Sequence, residues 1–286
     1  MAVKTIQKVT IPYLQEKKAN REKITALTAY DFPIAKILDQ SGIDIILVGD
    51  SLGMVVLGYE NTIPVDMDEM IHHTKAVVRG VKRALVVGDM PYFSFHLSIE
   101  ESIFNASRFL KEAGATAVKI EGASSKRLEM IQNMIDAEIP VMGHVGLTPQ
   151  SINHFGQFKV KGKHEDEAQK IIDDALALES AGVFAVILEC IPMELAKIIT
   201  ERLKIPTIGI GAGPHCDGQI LVFHDLVGFS NGYLPKFVKK YVDLHSILNH
   251  AVGEYIQDVE NEKFPDDPHS YHFKSNEIIE RLKKRR

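Results

Sequence analysis

The sequence predicts a (β/α)8 barrel, and three observations carry that expectation. Eight short runs rich in Val, Ile and Leu recur along the chain, most of them separated by a helical stretch. Each run is apolar almost throughout, as expected of parallel strands covered on both faces. The length, 286 residues, suits eight such units closing into one barrel. An open doubly wound sheet is the competing arrangement, but it calls for a clearer glycine fingerprint after the first strand. No compositional break marks a second domain.

The elements follow in order. Residues 1–23 read as a polar arm with a short helix around 11–18. ITALTAYD (24–31) is the first strand, and its helix, 33–40, is closed by Gly42. IDIILVGDS (43–51) is the second strand. A loop with Asn61 and Pro64 leads to a helix over 68–79, with Asp66 or Asp68 as its N-cap. RALVVGDMP (83–91) is the third strand. The next helix, 98–114, places Ile103, Ala106 and Leu110 on one face and stops at Gly114. TAVKIEG (116–122) and IPVMGHVGL (139–147) are strands four and five, joined by a helix over 125–138. A long helix over 164–182 precedes strand six, VFAVILEC (183–190). The helix 192–203 leads to strand seven, IPTIGIGAG (205–213), and GQILVFHDLVG (218–228) is strand eight. A helix is expected near 237–247. The catalytic barrel is thus placed at 24–265 and a polar extension at 266–286.

Bulk properties narrow the function. Lys and Arg number 33 against 38 Asp and Glu, so no nucleic-acid or anionic-membrane partner is indicated. The basic RLKKRR end reads as a solvated helix end or tail. Two cysteines, Cys190 and Cys216, form neither a disulfide framework nor a CxxC metal pair. No signal-peptide pattern or membrane-length apolar run is present, and the expected compartment is the cytoplasm.

In such barrels the chemistry lies at the C-terminal ends of the strands. Those ends carry Asp31, then Asp50 and Ser51, then Asp89, then Lys119 and Glu121, then His144, then Glu189. Strand seven offers only the glycines of GIGAG, an anion nest or a place of close backbone packing. Strand eight offers His224 and Asp225, read as structural, and Asp31 reads as a helix cap. Lys119 and Glu121 are two apart and share a face. Charged side chains ending buried strands require partners, water or a metal. Asp50, Asp89 and Glu121 provide oxygen ligands only, which suits Mg2+, while His144 keeps zinc open. Taken singly, Asp50 and Asp89 could each be a turn or cap residue. Glu189 has no partner in its neighbouring sequence.

The same residues carry a family resemblance. TAYD, VGDSLGMVVLGYENTIPVDMDEMIHHTKAVVRG, VVGDMPYFSF, AVKIEG, PVMGHVGLTPQS, VILEC and IGIGAG together resemble ketopantoate hydroxymethyltransferase, within the group of phosphoenolpyruvate mutase and isocitrate lyase barrels. The resemblance implies transfer of the one-carbon unit of 5,10-methylenetetrahydrofolate to 3-methyl-2-oxobutanoate, through a Mg2+-stabilised enolate, in the biosynthesis of pantothenate and coenzyme A. It implies metal contacts at Asp50, Asp89 and Glu121, substrate contacts at Asp50, Ser51, Asp89, Lys119 and His144, and Glu189 as general base. It also implies a homo-oligomer, a decamer. The folate pocket is not readable. A lyase of the isocitrate type would carry a catalytic cysteine in a KKCGH-like loop, which this sequence lacks. A non-catalytic barrel is the reading from a different class.

Overall fold

Alternation along each strand gives the barrel its two faces. Strands β1 (Ile24–Thr28), β2 (Ile45–Val48), β3 (Leu85–Asp89), β4 (Ala117–Glu121), β5 (Val141–Gly146), β6 (Ala185–Glu189), β7 (Thr207–Ile210) and β8 (Gly218–Leu221) close in sequence order, each parallel to its neighbours. The inward set includes Ile24, Ala26, Ile45, Leu47, Leu85, Val87, Ala117, Met142, Ala185, Ile187 and Ile208, all buried in one cluster. The outward set, with Val48, Val86, Val118, Val145 and Leu188, packs against the helices in a second cluster. This computed structural model describes residues 7–156, 159–229 and 234–284.

The helices are α1 (Ile11–Ala19), α2 (Phe32–Gln40), α3 (Leu52–Val55), α4 (Met67–Gly80), α5 (Ile99–Lys111), α6 (Ser125–Asp136), α7 (Ile152–Phe155), α8 (Glu165–Ser180), α9 (Met193–Arg202), α10 (Phe223–Leu226), α11 (Leu244–Glu260) and α12 (Asn276–Lys283). Local chemistry starts them where the sequence indicates. Asp31 accepts from the Ile34 amide at 2.8 Å and caps α2. Asp66 and Glu69 close a capping box at α4. The N-terminal arm does more than lead in. Leu14 of α1 is fully buried and joins the inward cluster. Lys17 pairs with Asp44 and Lys18 with Asp217, each at 2.6 Å, just ahead of β2 and β8. Thus α1 covers the N-terminal end of the barrel, opposite the strand ends that carry the acids.

Three expectations need correction. Strand eight stops at Leu221, and the apolar residues after it form α10, where buried His224 packs on the rings of Tyr30 and Phe229. A continuous apolar run does not distinguish strand from helix by its period. The helix expected near 237–247 is α11, which begins after Asp243, whose carboxylate accepts from the Ser246 amide, and not near 237. Strands one and two are shorter than read: Tyr30 and Asp31 lie in the turn into α2, and Asp50 and Ser51 in the turn into α3.

Candidate active site

Inward parity brings the polar residues together. Asp89 follows Leu85 and Val87, Lys119 and Glu121 follow Ala117, His144 follows Met142, and Glu189 follows Ala185 and Ile187 on the same face. Register then makes neighbours of them: Asp89 pairs with Lys119, and Glu121 with His144. This explains why β3 ends on Gly-Asp. Gly88 faces outward, where a Cβ would come within 2.2 Å of the Phe109 ring of α5, while Asp89 faces in. The GIGAG turn is close packing: a side chain at Gly211 would meet Phe237, and one at Gly213 would meet Met193.

The result is a buried charged cluster. Asp50, Asp89, Lys119, Glu121 and His144 are each no more than 5% exposed. Lys119 Nζ donates to both carboxylate oxygens of Asp89, at 2.9 and 2.8 Å, and stands 3.6 Å from Glu121 Oε1. The Asp50 amide donates to Asp89 Oδ2 at 3.3 Å. Burial, with Asp89 close by, pushes the Asp50 carboxyl well above the usual range. Burial raises Asp89 too, against the pull of Lys119. Burial alone would depress Lys119, but Asp89, Glu121 and Asp50 hold it above its ordinary value. Glu121 is held low, since Lys119 and His144 outweigh its burial.

His144 links the cluster to Glu189. Its Nδ1 lies 3.6 Å from Glu121 Oε1, and its Nε2 lies 3.3 Å from Glu189 Oε2. Burial would lower the imidazole, yet these two carboxylates raise it to about 9. Glu189 is therefore not the unpartnered carboxylate that its sequence neighbourhood suggests, because its partner comes from β5. Ser51 is bonded to Tyr30, Oγ to Oη at 2.9 Å, and burial pushes that phenol up.

Two residues in this chamber were not anticipated. Gln150, from a 3-10 turn (Pro149–Ser151) after β5, donates to Asp50 and, through its backbone, to Glu121. Arg127 of α6 donates to the Glu121 carbonyl at 2.7 Å and lies over the Phe95 ring. A cleft of about 150 Å³ opens beside Glu121, lined also by Tyr92, His96, Arg127 and Gln150. An amide and a guanidinium in loop and helix leave no periodic signal.

Residues 8–267 match the sequence profile of ketopantoate hydroxymethyltransferase. The chain belongs to that family. A Thermoanaerobacter pseudethanolicus protein named 3-methyl-2-oxobutanoate hydroxymethyltransferase is 56% identical over 271 residues, covering 95% of this chain and 98% of its own. One of the same name from Syntrophomonas wolfei is 52% identical over 275 residues, covering 96% and 99%. The crystal structure of phosphoenolpyruvate phosphomutase from Streptomyces platensis subsp. rosaceus shares the fold, with a TM-score of 0.59, 12% identity and coverage of 96% and 95%. As a ketopantoate hydroxymethyltransferase, the chain has its charged cluster where barrels of this architecture hold their chemistry.

The carboxylates of this chamber are oxygen donors of the kind a divalent cation takes. Among the described residues no three His, Cys, Asp or Glu side chains are grouped tightly enough to clasp a metal alone. Lys119 occupies both oxygens of Asp89. However, three buried carboxylates face one lysine, and Glu121 Oε1 has no hydrogen-bond partner. Mg2+ needs only one or two protein carboxylates and fills its remaining positions with water and substrate oxygens. Such an oxygen-only, electron-rich set fits it.

Proposed function

We propose that the protein transfers the one-carbon unit of 5,10-methylenetetrahydrofolate to 3-methyl-2-oxobutanoate, giving 2-dehydropantoate, as a 3-methyl-2-oxobutanoate hydroxymethyltransferase. The names of relatives more than half identical over nearly the whole chain support the reaction. The observation that carries the mechanism is the division of the chamber. Asp50, Asp89, Lys119 and Glu121 stand on the β2–β4 side, and Glu189 stands on β6, across His144.

Asp50 and Asp89 are proposed to hold Mg2+, with Glu121 reaching it directly or through water. Bound there, it supplies Lewis acidity toward the oxygens of the keto acid. Lys119 spends two of its three ammonium donors on Asp89 and keeps one for an anionic substrate. Ser51, anchored by Tyr30, offers its hydroxyl to the bound acid. Glu189 takes the hydrogen on carbon 3 as a proton, leaving the electron pair on the substrate, and that carbon then bonds to the methylene unit, whose two bonds to folate nitrogens break as water supplies the hydroxyl and tetrahydrofolate leaves. His144, with Nε2 3.3 Å from Glu189 Oε2, orients the Glu189 carboxylate.

A homo-oligomer, a decamer by family likeness, is proposed as the working form. Support comes from α11, which buries no residue and exposes Ile247, Leu248, Val252, Tyr255 and Ile256. A cytoplasmic location is proposed, and among the described residues no helix is long and apolar enough to cross a membrane. The test of function is turnover. The protein, 3-methyl-2-oxobutanoate, the folate and Mg2+ should give 2-dehydropantoate by mass spectrometry. Metal binding without product would overturn the reading in favour of a non-catalytic barrel.

A further inference from the structure

Gln150 makes more polar contacts to the acid cluster than any reading of its sequence position suggests. It is 6% exposed, in the turn after β5. Both hydrogens of its amide nitrogen are used, on Asp50 Oδ2 at 2.9 Å and on the Met90 carbonyl at 2.9 Å. Its backbone amide donates to Glu121 Oε2 at 3.1 Å. One residue thus ties together the ends of β2, β3 and β4. Each bond goes to a defined oxygen. Asp50 and Glu121 each have one oxygen fixed by a neutral donor, while Glu121 Oε1 has no hydrogen-bond partner. The bond to Asp50 goes to Oδ2 and leaves Oδ1 outside it.

We propose that Gln150 is a positioning residue that presents Asp50 Oδ1 and Glu121 Oε1 to the divalent cation. The inference rests on the metal reading given above for Asp50 and Asp89. The chemistry favours an amide at this position. A carboxylate would add a fourth acid to a cluster already short of positive charge. A hydroxyl could not donate to Asp50 and Met90 together. Outer partners of this kind fix ligand orientation, and their loss typically weakens metal binding about 10–100-fold.

The test uses the full-length protein and Mn2+ as a spectroscopic probe, with Mg2+ calorimetry alongside. Gln150→Leu removes both side-chain bonds and retains the backbone bond to Glu121. It should bind either ion roughly 10-fold or more weakly. Raising Mg2+ should restore kcat, while KM for the keto acid at saturating Mg2+ stays near that of the parent. A purely structural role would not be relieved by metal. Gln150→Met, close in length and equally neutral, carries the same test if the Leu variant does not fold. Gln150→Glu should bind metal but leave the unliganded protein less stable at neutral pH than at pH 5. A folded Leu or Met variant with parental Mn2+ affinity would overturn the proposal, provided Asp50→Ala has lost affinity. If Asp50→Ala also binds as the parent does, the metal reading itself fails, and the proposal falls with it.

Discussion

Lys119→Met is the substitution whose energetic outcome the structure constrains most. The side chains of Lys119 and Asp89 are only 6% and 2% exposed, so solvent screening is slight. The methionine fits the volume but removes two hydrogen bonds to Asp89 and, among the described residues, the only lysine or arginine within 4 Å of the Asp89 and Glu121 carboxylates. Breaking a buried pair by removing one partner typically costs about 3–5 kcal/mol, because a charge is left uncompensated. The loss should depend on pH. Lys119 has a raised pKa in the folded protein, so its contribution is complete below its ordinary value and is lost only in strong alkali. The variation at lower pH comes from Asp50 and Asp89, whose folded values are raised and climb further without the lysine. Carboxyls of that kind favour the folded state when protonated, so the deficit should shrink as pH falls from 8 toward 5. Urea unfolding of the metal-free protein at several pH values measures it. A variant within about 1 kcal/mol of the parent at pH 8, against the about 3–5 expected, would refute the argument. So would a deficit that grows on acidification.

Three further outcomes are expected. Asp31→Ala should cost about 0.5–2 kcal/mol through loss of the α2 cap and leave kcat unchanged, by thermal unfolding and steady-state assay. In metal-free protein the His144 imidazole should titrate near 9 by NMR, and the stability it contributes should be present below its ordinary 6.5 and fade as pH rises through 9. Replacing Glu189 by Gln should lower that value, because one of the two carboxylates that raise it is gone. Asp50→Ala and Asp89→Ala should each weaken Mg2+ binding in calorimetry, and unchanged affinity in both would dismiss the metal assignment.

The barrel was legible because its strands are apolar on both faces and its helices begin at Asp31, Asp66 and Ser98, residues with side-chain acceptors. The acids were legible for a related reason: an inward residue at the end of such a strand has no solvent to face. What the sequence hides is contact across strands. Lys119 could have paired with Glu121, two residues away, but its hydrogen bonds go to Asp89, across the β3–β4 ladder. Glu189 looked solitary for the same reason, since His144 stands on the neighbouring strand. Gln150 lies in a loop, and its use of both amide hydrogens depends on where two other strands end. The start of α11 had a local signal that was readable, the carboxylate of Asp243 three residues ahead of Ser246. Exposed apolar residues obscured it, because α11 buries none of them within the chain.

Hydrogen exchange at the substrate is the most direct test of the central claim, that Glu189 removes the proton from carbon 3. The parent protein with Mg2+ and 3-methyl-2-oxobutanoate in D2O should wash out that hydrogen by proton NMR, with tetrahydrofolate added where the folate pocket must be filled. Glu189→Gln keeps the shape and removes the base. It should still bind Mg2+ and keto acid while exchange falls by about 10²–10⁴-fold, the usual worth of general base catalysis. Exchange at the parental rate in the Gln variant would contradict the account and make His144 the next candidate for the base.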